Sequence, residues 1–234
     1  MRTALARNYS FVLLLDQDSS LGERAVDRLM AAHRRLVELG ERVAAVGPSF
    51  LDPRNGFGFP FVRLRRVRMG KLWPSPGAEI ECDLLISSGC LVSLDAVRTV
   101  GEMDAALFID YVDFEWCARA RAAGYKVFGI SDAKMRHTIG TGAFKIFGRL
   151  IVVHAPIRHY YLIRNALLFA RKPYLDWRWR VHLVYRAVAQ IMLFSVLRPQ
   201  RIERLRWMLR GLMDGLLGRG GRLVHGASDR IQTP

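Results

Sequence analysis

The sequence predicts an α/β fold in which a mostly parallel sheet is flanked by helices and followed by amphipathic C-terminal helices. Three observations carry this reading. Phe11-Val12-Leu13-Leu14-Leu15 is short and apolar on every side, as in a strand covered on both faces. A helical pattern from Glu23 to Leu39 and a second apolar run from Arg42 to Val46 follow it, and that succession of strand, helix and strand is a parallel-sheet signature. Beyond Arg171 the chain changes character, with arginines interleaved among Trp177, Trp179, Tyr185, Phe194 and Trp207.

The first strand ends in Asp16-Gln17-Asp18-Ser19. Two carboxylates one residue apart at the tip of a buried strand need a compensating cation or hydrogen-bonded ligand to stay ionised. A hard divalent ion such as Mg²⁺ or Mn²⁺ fits, because it takes oxygen ligands from the protein and the rest from substrate phosphates. The strand order puts the aspartates at a carboxyl end, where open α/β sheets bind ligands. The competing reading is a simple acidic turn, with Asp18 or Ser19 capping the helix that begins near Glu23.

That helix repeats Leu29, Met30, Leu36 and Val37 at helical spacing and stops at Gly40. Leu51 to Gly77 holds four of the nine prolines together with Arg63, Arg65, Arg66, Arg68 and Lys71, and reads as a long basic excursion. Apolar character returns in Leu84-Leu85-Ile86 and Cys90-Leu91-Val92, separated by Ser87-Ser88-Gly89. Glycine there permits close approach of a ligand to backbone and hydroxyl donors, or equally a strand bulge.

The second acidic block is Phe108-Ile109-Asp110-Tyr111-Val112-Asp113-Phe114-Glu115-Trp116-Cys117, ahead of a helix that runs to Gly124. Asp113 falls near the positive end of that helix, and Glu115 with Arg119 forms an i, i+4 pair along it. A carboxylate here can serve as a general base towards a hydroxyl nucleophile. A strand from Lys126 to Ile130 leads to His137, which would return to the ligand edge as a further metal contact or remain a surface residue.

Bulk properties narrow the partners. At 51% hydrophobic and 24% charged the chain is globular, which excludes a disordered protein. The formal net charge of +15 attracts polyanions such as nucleic acid, anionic lipid or phosphorylated substrates. From Arg171 onward thirteen Lys or Arg stand against Asp176, Glu203, Asp214 and Asp229, a mixture with aromatic residues that suits an anionic headgroup layer. No recognised RNA or DNA motif accompanies the arginines, so nucleic acid is not the expected partner. No segment reaches the roughly 18 uninterrupted apolar residues of a membrane span, so the chain is expected to lie on a membrane, not to cross it. The apolar run Phe11 to Leu15 is too short for a signal peptide, and Cys82, Cys90 and Cys117 have no paired spacing, which fits a reducing cytoplasmic compartment.

Taken in order, these blocks resemble the family 2 inverting glycosyltransferases of GT-A fold, especially bacterial rhamnosyltransferases of surface polysaccharide assembly. Asp16-Gln17-Asp18-Ser19 looks like the family's Asp-x-Asp motif, and Ser87-Ser88-Gly89 like its glycine-bearing acceptor strand. Ile109 to Cys117 resembles the segment with the catalytic base, His137 with Gly140 the metal-contacting histidine motif, and Tyr160-Tyr161-Leu162-Ile163-Arg164-Asn165 the start of the C-terminal helices. The likeness runs from about Ala4 to about Leu217.

The resemblance implies a mixed, mostly parallel GT-A-type sheet. It divides the chain into a partial catalytic domain at 1–155, a membrane-associated helical region at 156–218 and a disordered tail at 219–234. It further implies that Asp18 and His137 hold Mg²⁺ or Mn²⁺, and that Asp16, Asp18, Ser88 and Gly89 bind the nucleotide sugar. Asp113 would be the base, with Asp110 next in line, and Arg119 and Arg121 would steady the helix or contact diphosphate. The donor would be dTDP-rhamnose, the acceptor a lipid-linked glycan, and the place of action the inner face of the cell membrane. Family members begin with a strand, helix and strand that hold the nucleoside. Here the acidic motif comes almost at once, so an N-terminally incomplete sheet is expected. The alternative is a truncated, inactive remnant that binds membrane surfaces without catalysis.

Overall fold

The computed structural model describes residues 1–53, 56, 58–65, 68–137, 142–146, 149–196 and 200–223. In chain order these form α1 (Arg2–Ala6), β1 (Phe11–Leu13), β2 (Ser19–Leu21), α2 (Ala25–Glu38), β3 (Val43–Leu51), β4 (Phe61–Arg65), β5 (Arg68–Leu72), β6 (Glu79–Cys82), β7 (Leu91–Ser93), α3 (Leu94–Val100), α4 (Val112–Ala122), β8 (Lys126–His137), β9 (Gly142–Ile146), β10 (Arg149–Val153), α5 (Pro156–Ala170), α6 (Trp177–Val196) and α7 (Arg201–Leu216). Arg66, Gly140 and residues 224–234 of the expected tail lie outside the described residues.

The main sheet runs β1-β7-β3-β8-β2, with β6 also paired to β8. It is the expected mixed α/β sheet; among the described residues its parallel pairing is the long β3–β8 ladder, and its other strand pairs are antiparallel. β1 and β3 do point the same way, as a strand, helix and strand unit requires. They are not neighbours, because β7 lies between them and is antiparallel to both. The carboxyl ends of β1, β3 and β8 therefore meet the amino end of β7 at one edge, and Asp16, His137 and Ser87-Ser88-Gly89 gather there.

α2 covers one face through Ala25, Leu29, Ala32, His33 and Leu36, whose spacing forms a single buried stripe over β3 and β8. It begins at Ala25 with a left-handed Arg24 as its cap and no capping side chain. The capping role considered for Asp18 or Ser19 is thus excluded. Ser19 instead opens β2, whose polar residues pair with the far end of β8. Gly40, at φ 85°, ends the helix as expected, with the N–H groups of Gly40 and Glu41 donating back to Val37 and Leu36.

Three expected boundaries move. β3 continues through Pro48 to Leu51 by register shifts, and β8 continues from Ile130 to His137, so the histidine ends a strand. The excursion after Leu51 contains the β4–β5 hairpin, folded against the sheet by buried Phe61 and a bridge from Val62 to Leu84. One of its cations, Arg63, is paired to Glu81 at 2.8 Å.

A continuous core joins the sheet to the C-terminal helices, uniting Ala44, Leu85 and Trp116 with Ile163, Phe169 and Met208. α5 and α7 approach closely because Gly211 and Gly215 lie against the backbone carbonyls of Tyr160 and Arg164, where a side chain would collide. The outward face of α6 is apolar. Trp177, Val181, Val184, Tyr185, Val188 and Met192 are all exposed at helical spacing. Among the described residues no helix is long and apolar enough to cross a membrane.

Candidate active site

The first acidic centre is built by pairing at the ends of strands. Asp16 and Asp18 are exposed just beyond β1, and the Ser19–His137 register of β2 on β8 brings the imidazole to them. Ligand atoms of Asp16, Asp18 and His137 lie within 4.8 Å of one another. Two carboxylate oxygens and an imidazole nitrogen within that span fit Mg²⁺ or Mn²⁺, leaving room for oxygens of a substrate. His137 Nδ1 lies 2.8 Å from Ser19 Oγ and 3.5 Å from Asp18 Oδ1, which orients the ring towards the acids.

Ser88 connects this centre to the next. Its buried hydroxyl accepts the Asp16 N–H at 3.1 Å and shares a 2.6 Å hydrogen bond with Ser19 Oγ. Ser88 therefore acts as an organiser of the acidic turn. Gly89 has φ +74°, and a Cβ there would meet Met135 and Pro48 at 2.6 and 2.7 Å. Its N–H is committed to the Leu14 carbonyl, so the glycine serves close packing of the strand edge.

One residue earlier, the Ser87 N–H donates to Asp113 Oδ2 at 3.0 Å, and the Phe114 N–H donates to Asp113 Oδ1 at 3.0 Å. The two acidic centres are thus joined through consecutive residues of one short segment. Asp113 is half-buried at the start of α4. Loss of water raises its carboxyl to about 6 against the pull of those amides, and the negative charge of Asp110 adds to the rise.

Asp110 is placed differently. Its carboxylate takes a bidentate pair from Arg158 of α5, with Arg158 Nε at 3.0 Å from Oδ2 and the terminal nitrogen at 2.9 Å from Oδ1. Its oxygens are engaged by a cation, whereas those of Asp113 meet only backbone amides. Glu115 is withdrawn further. It is fully buried and bound by Arg119 and the Tyr174 hydroxyl, while Arg119 also donates to the carbonyls of Val100 and Glu102. Arg121 pairs with Asp83 at 3.0 Å. Both arginines therefore steady the fold around α4.

The loop before α4 carries three non-glycine residues in the left-handed region, Phe108, Asp110 and Tyr111, at φ 62°, 61° and 62°. Such a run persists only when its surroundings over-determine it. α5 does so. The buried Asn165 amide donates to the carbonyls of Leu107, Ile109 and Asp110 at 2.6–3.0 Å, and buried Arg164 donates to Ala106 and Leu107. Nothing in the sequence singles out Arg158, whose local signal is only a cation two residues ahead of Tyr160-Tyr161.

No family model matches the sequence. Among curated proteins the chain is 31% identical over 226 residues to the dTDP-rhamnosyl transferase RfbF of Shigella flexneri, a match covering 95% of this chain and 75% of that protein. Among solved structures, GalNAc-T7 with UDP, GalNAc and Mn²⁺ overlaps at TM-score 0.45 and 11% identity, covering 83% of this chain and 43% of that one. A197 from STIV overlaps at TM-score 0.40 and 12% identity, covering 66% of this chain and 71% of that one. Neither overlap is close enough to bear on function.

Proposed function

This chain belongs to the family of glycosyltransferases represented by the dTDP-rhamnosyl transferase RfbF, and we propose that it moves rhamnose from dTDP-rhamnose onto a hydroxyl of a lipid-linked glycan with inversion. One observation carries the reading. Asp113 rests on the Ser87 amide, next to the residue whose hydroxyl fixes Asp16 at the opposite acidic centre. A base and a phosphate-binding acid pair are thereby set on either side of one segment, as transfer between a nucleotide sugar and a hydroxyl requires.

In this reading Asp113 accepts the proton of the acceptor hydroxyl. The freed oxygen forms its bond to the anomeric carbon while the bond from that carbon to the diphosphate oxygen breaks, and attack from the face opposite the leaving group inverts the centre. With a carboxyl near 6, Asp113 is mostly ionised at neutral pH and still basic enough to take the proton. Asp16, Asp18 and His137 would hold Mg²⁺ or Mn²⁺, which when bound supplies positive charge to the departing diphosphate. Ser88 and Ser19 keep those ligands in place.

We assign the chemistry to residues 1–155 and membrane association to 156–218. The apolar outward face of α6, with Trp177 and Tyr185 among arginines, supports an interfacial role at the inner face of the membrane. The remnant reading finds less support, because the acids of both centres are held by specific hydrogen bonds. The test is transfer from dTDP-rhamnose to a lipid-linked acceptor with Mn²⁺ present. Product with the inverted anomeric configuration, lost in Asp113→Asn, supports the proposal; undiminished turnover by that variant sinks the assignment of the base.

A further inference from the structure

Arg158 stands where its charge reaches both acidic centres. It binds Asp110 directly, and the carboxylates of Asp113 and Asp16 add to the field that raises its pKa. Its side chain remains 39% exposed, whereas that of Asp110 is 11% exposed, so the open side of the pair is the arginine. Ion pairs with such exposure contribute at most about 1 kcal/mol to stability.

Nor does the loop depend on this pair for its shape. Asn165 and Arg164 hold the carbonyls of Ala106, Leu107, Ile109 and Asp110 from the buried part of the same helix. Asp110 therefore stays in place when its side-chain partner leaves. A partly exposed guanidinium that feels the charge of Asp16, and whose present partner is a carboxylate on a loop held by its own backbone, has a chemical use. The planar fork that grips a carboxylate bidentately grips two oxygens of a phosphate equally well.

We propose that Arg158 is an exchangeable cation, paired with Asp110 before the donor binds and transferred to the diphosphate of the nucleotide sugar when it does. This inference rests on the glycosyl-transfer reading of the site. The exchange frees the Asp110 carboxylate beside Asp113 only once the donor is in place. The added negative charge then makes Asp113 the more willing proton acceptor.

The experiment is calorimetric titration of the full chain with dTDP in the presence of Mn²⁺, for the wild type, Arg158→Ala, Arg158→Lys and Asp110→Asn. Loss of a charge-assisted contact predicts about 10- to 100-fold weaker binding for Arg158→Ala. Arg158→Lys recovers part of it, and Asp110→Asn binds as tightly as the wild type or more so, since the competing carboxylate is gone. Inorganic pyrophosphate should reproduce the same ratios, which assigns the contact to the diphosphate; ratios seen with dTDP alone overturn that assignment. Equal losses in Arg158→Ala and Asp110→Asn mark a structural pair and overturn the exchange, as does unchanged binding by Arg158→Ala. If Arg158→Ala fails to fold, Arg158→Lys against Asp110→Asn decides by the same criterion. Failure of the wild type to bind dTDP overturns the donor reading itself, a distinguishable result.

Discussion

The two acidic centres are assembled by opposite means. Asp16 and Asp18 are exposed, lie at a strand tip and depend on a three-residue strand, β2, to meet His137. Asp110 sits on a strained loop gripped from behind by α5 and Asp113 in the first turn of α4 that follows it, with an arginine on the first carboxylate and amides on the second. The first arrangement is loose and charged, suited to a site completed by a cation and a phosphate. The second is preorganised, suited to a group that must meet a reacting hydroxyl at a fixed angle.

The sharpest way to break this contrast is at Asp113. Asp113→Asn should lower the transfer rate by about 10³-fold, within the usual range for a positioned base, while Asp110→Asn costs about tenfold or less. Initial rates from dTDP-rhamnose check both, and equal losses would erase the distinction drawn between the two carboxylates. At the other centre, His137→Ala should weaken Mn²⁺ binding by about 10- to 100-fold, and Ser19→Ala, which only orients the ring, by less. Titration followed by the paramagnetic signal of free Mn²⁺ reads both. Unchanged affinity in His137→Ala would leave the imidazole outside the site.

Asn165→Ala attacks the grip of α5. It removes the amide donor from the carbonyls of Leu107, Ile109 and Asp110, of which Leu107 keeps Arg164, and this costs about 1–3 kcal/mol, to be read from denaturant unfolding. Activity should fall more steeply than stability, because the loop is free to leave the left-handed conformation that aims Asp113. Loss of stability with full specific activity would make the grip purely structural.

Much of this was legible locally. The run at Phe11, the paired aspartates, the helical spacing closed by Gly40 and the acids before α4 are short-range signals, and each appears close to where the pattern put it. What escaped depends on distant partners. Ser19-Ser20-Leu21 has no strand character of its own and is a strand only because β8 extends to meet it. The place of β7 between β1 and β3 is a choice of pairing that no period encodes. Arg158 and Asp110 are 48 residues apart, and nothing in either segment announces the other.

The smallest effect tests the electrostatics of the preorganised centre. Burial raises the Asp113 carboxyl from 3.8 to about 6, so the folded state binds this proton more tightly than the unfolded chain does. The stability attributable to it is therefore fully present below about pH 4 and is lost as pH rises through 6. Two units correspond to about 3 kcal/mol, and the partial exposure of the group reduces that to about 1–2 kcal/mol. Asp113→Asn removes the cost of holding the charge. Its Tm should match the wild type at pH 4 and exceed it by about 2–6 °C at pH 7, while the rate of the wild type rises through an inflection near pH 6. A variant that is more stable only where the wild type is active would locate the strain at the ionised base. A Tm difference independent of pH would place it in the loop instead.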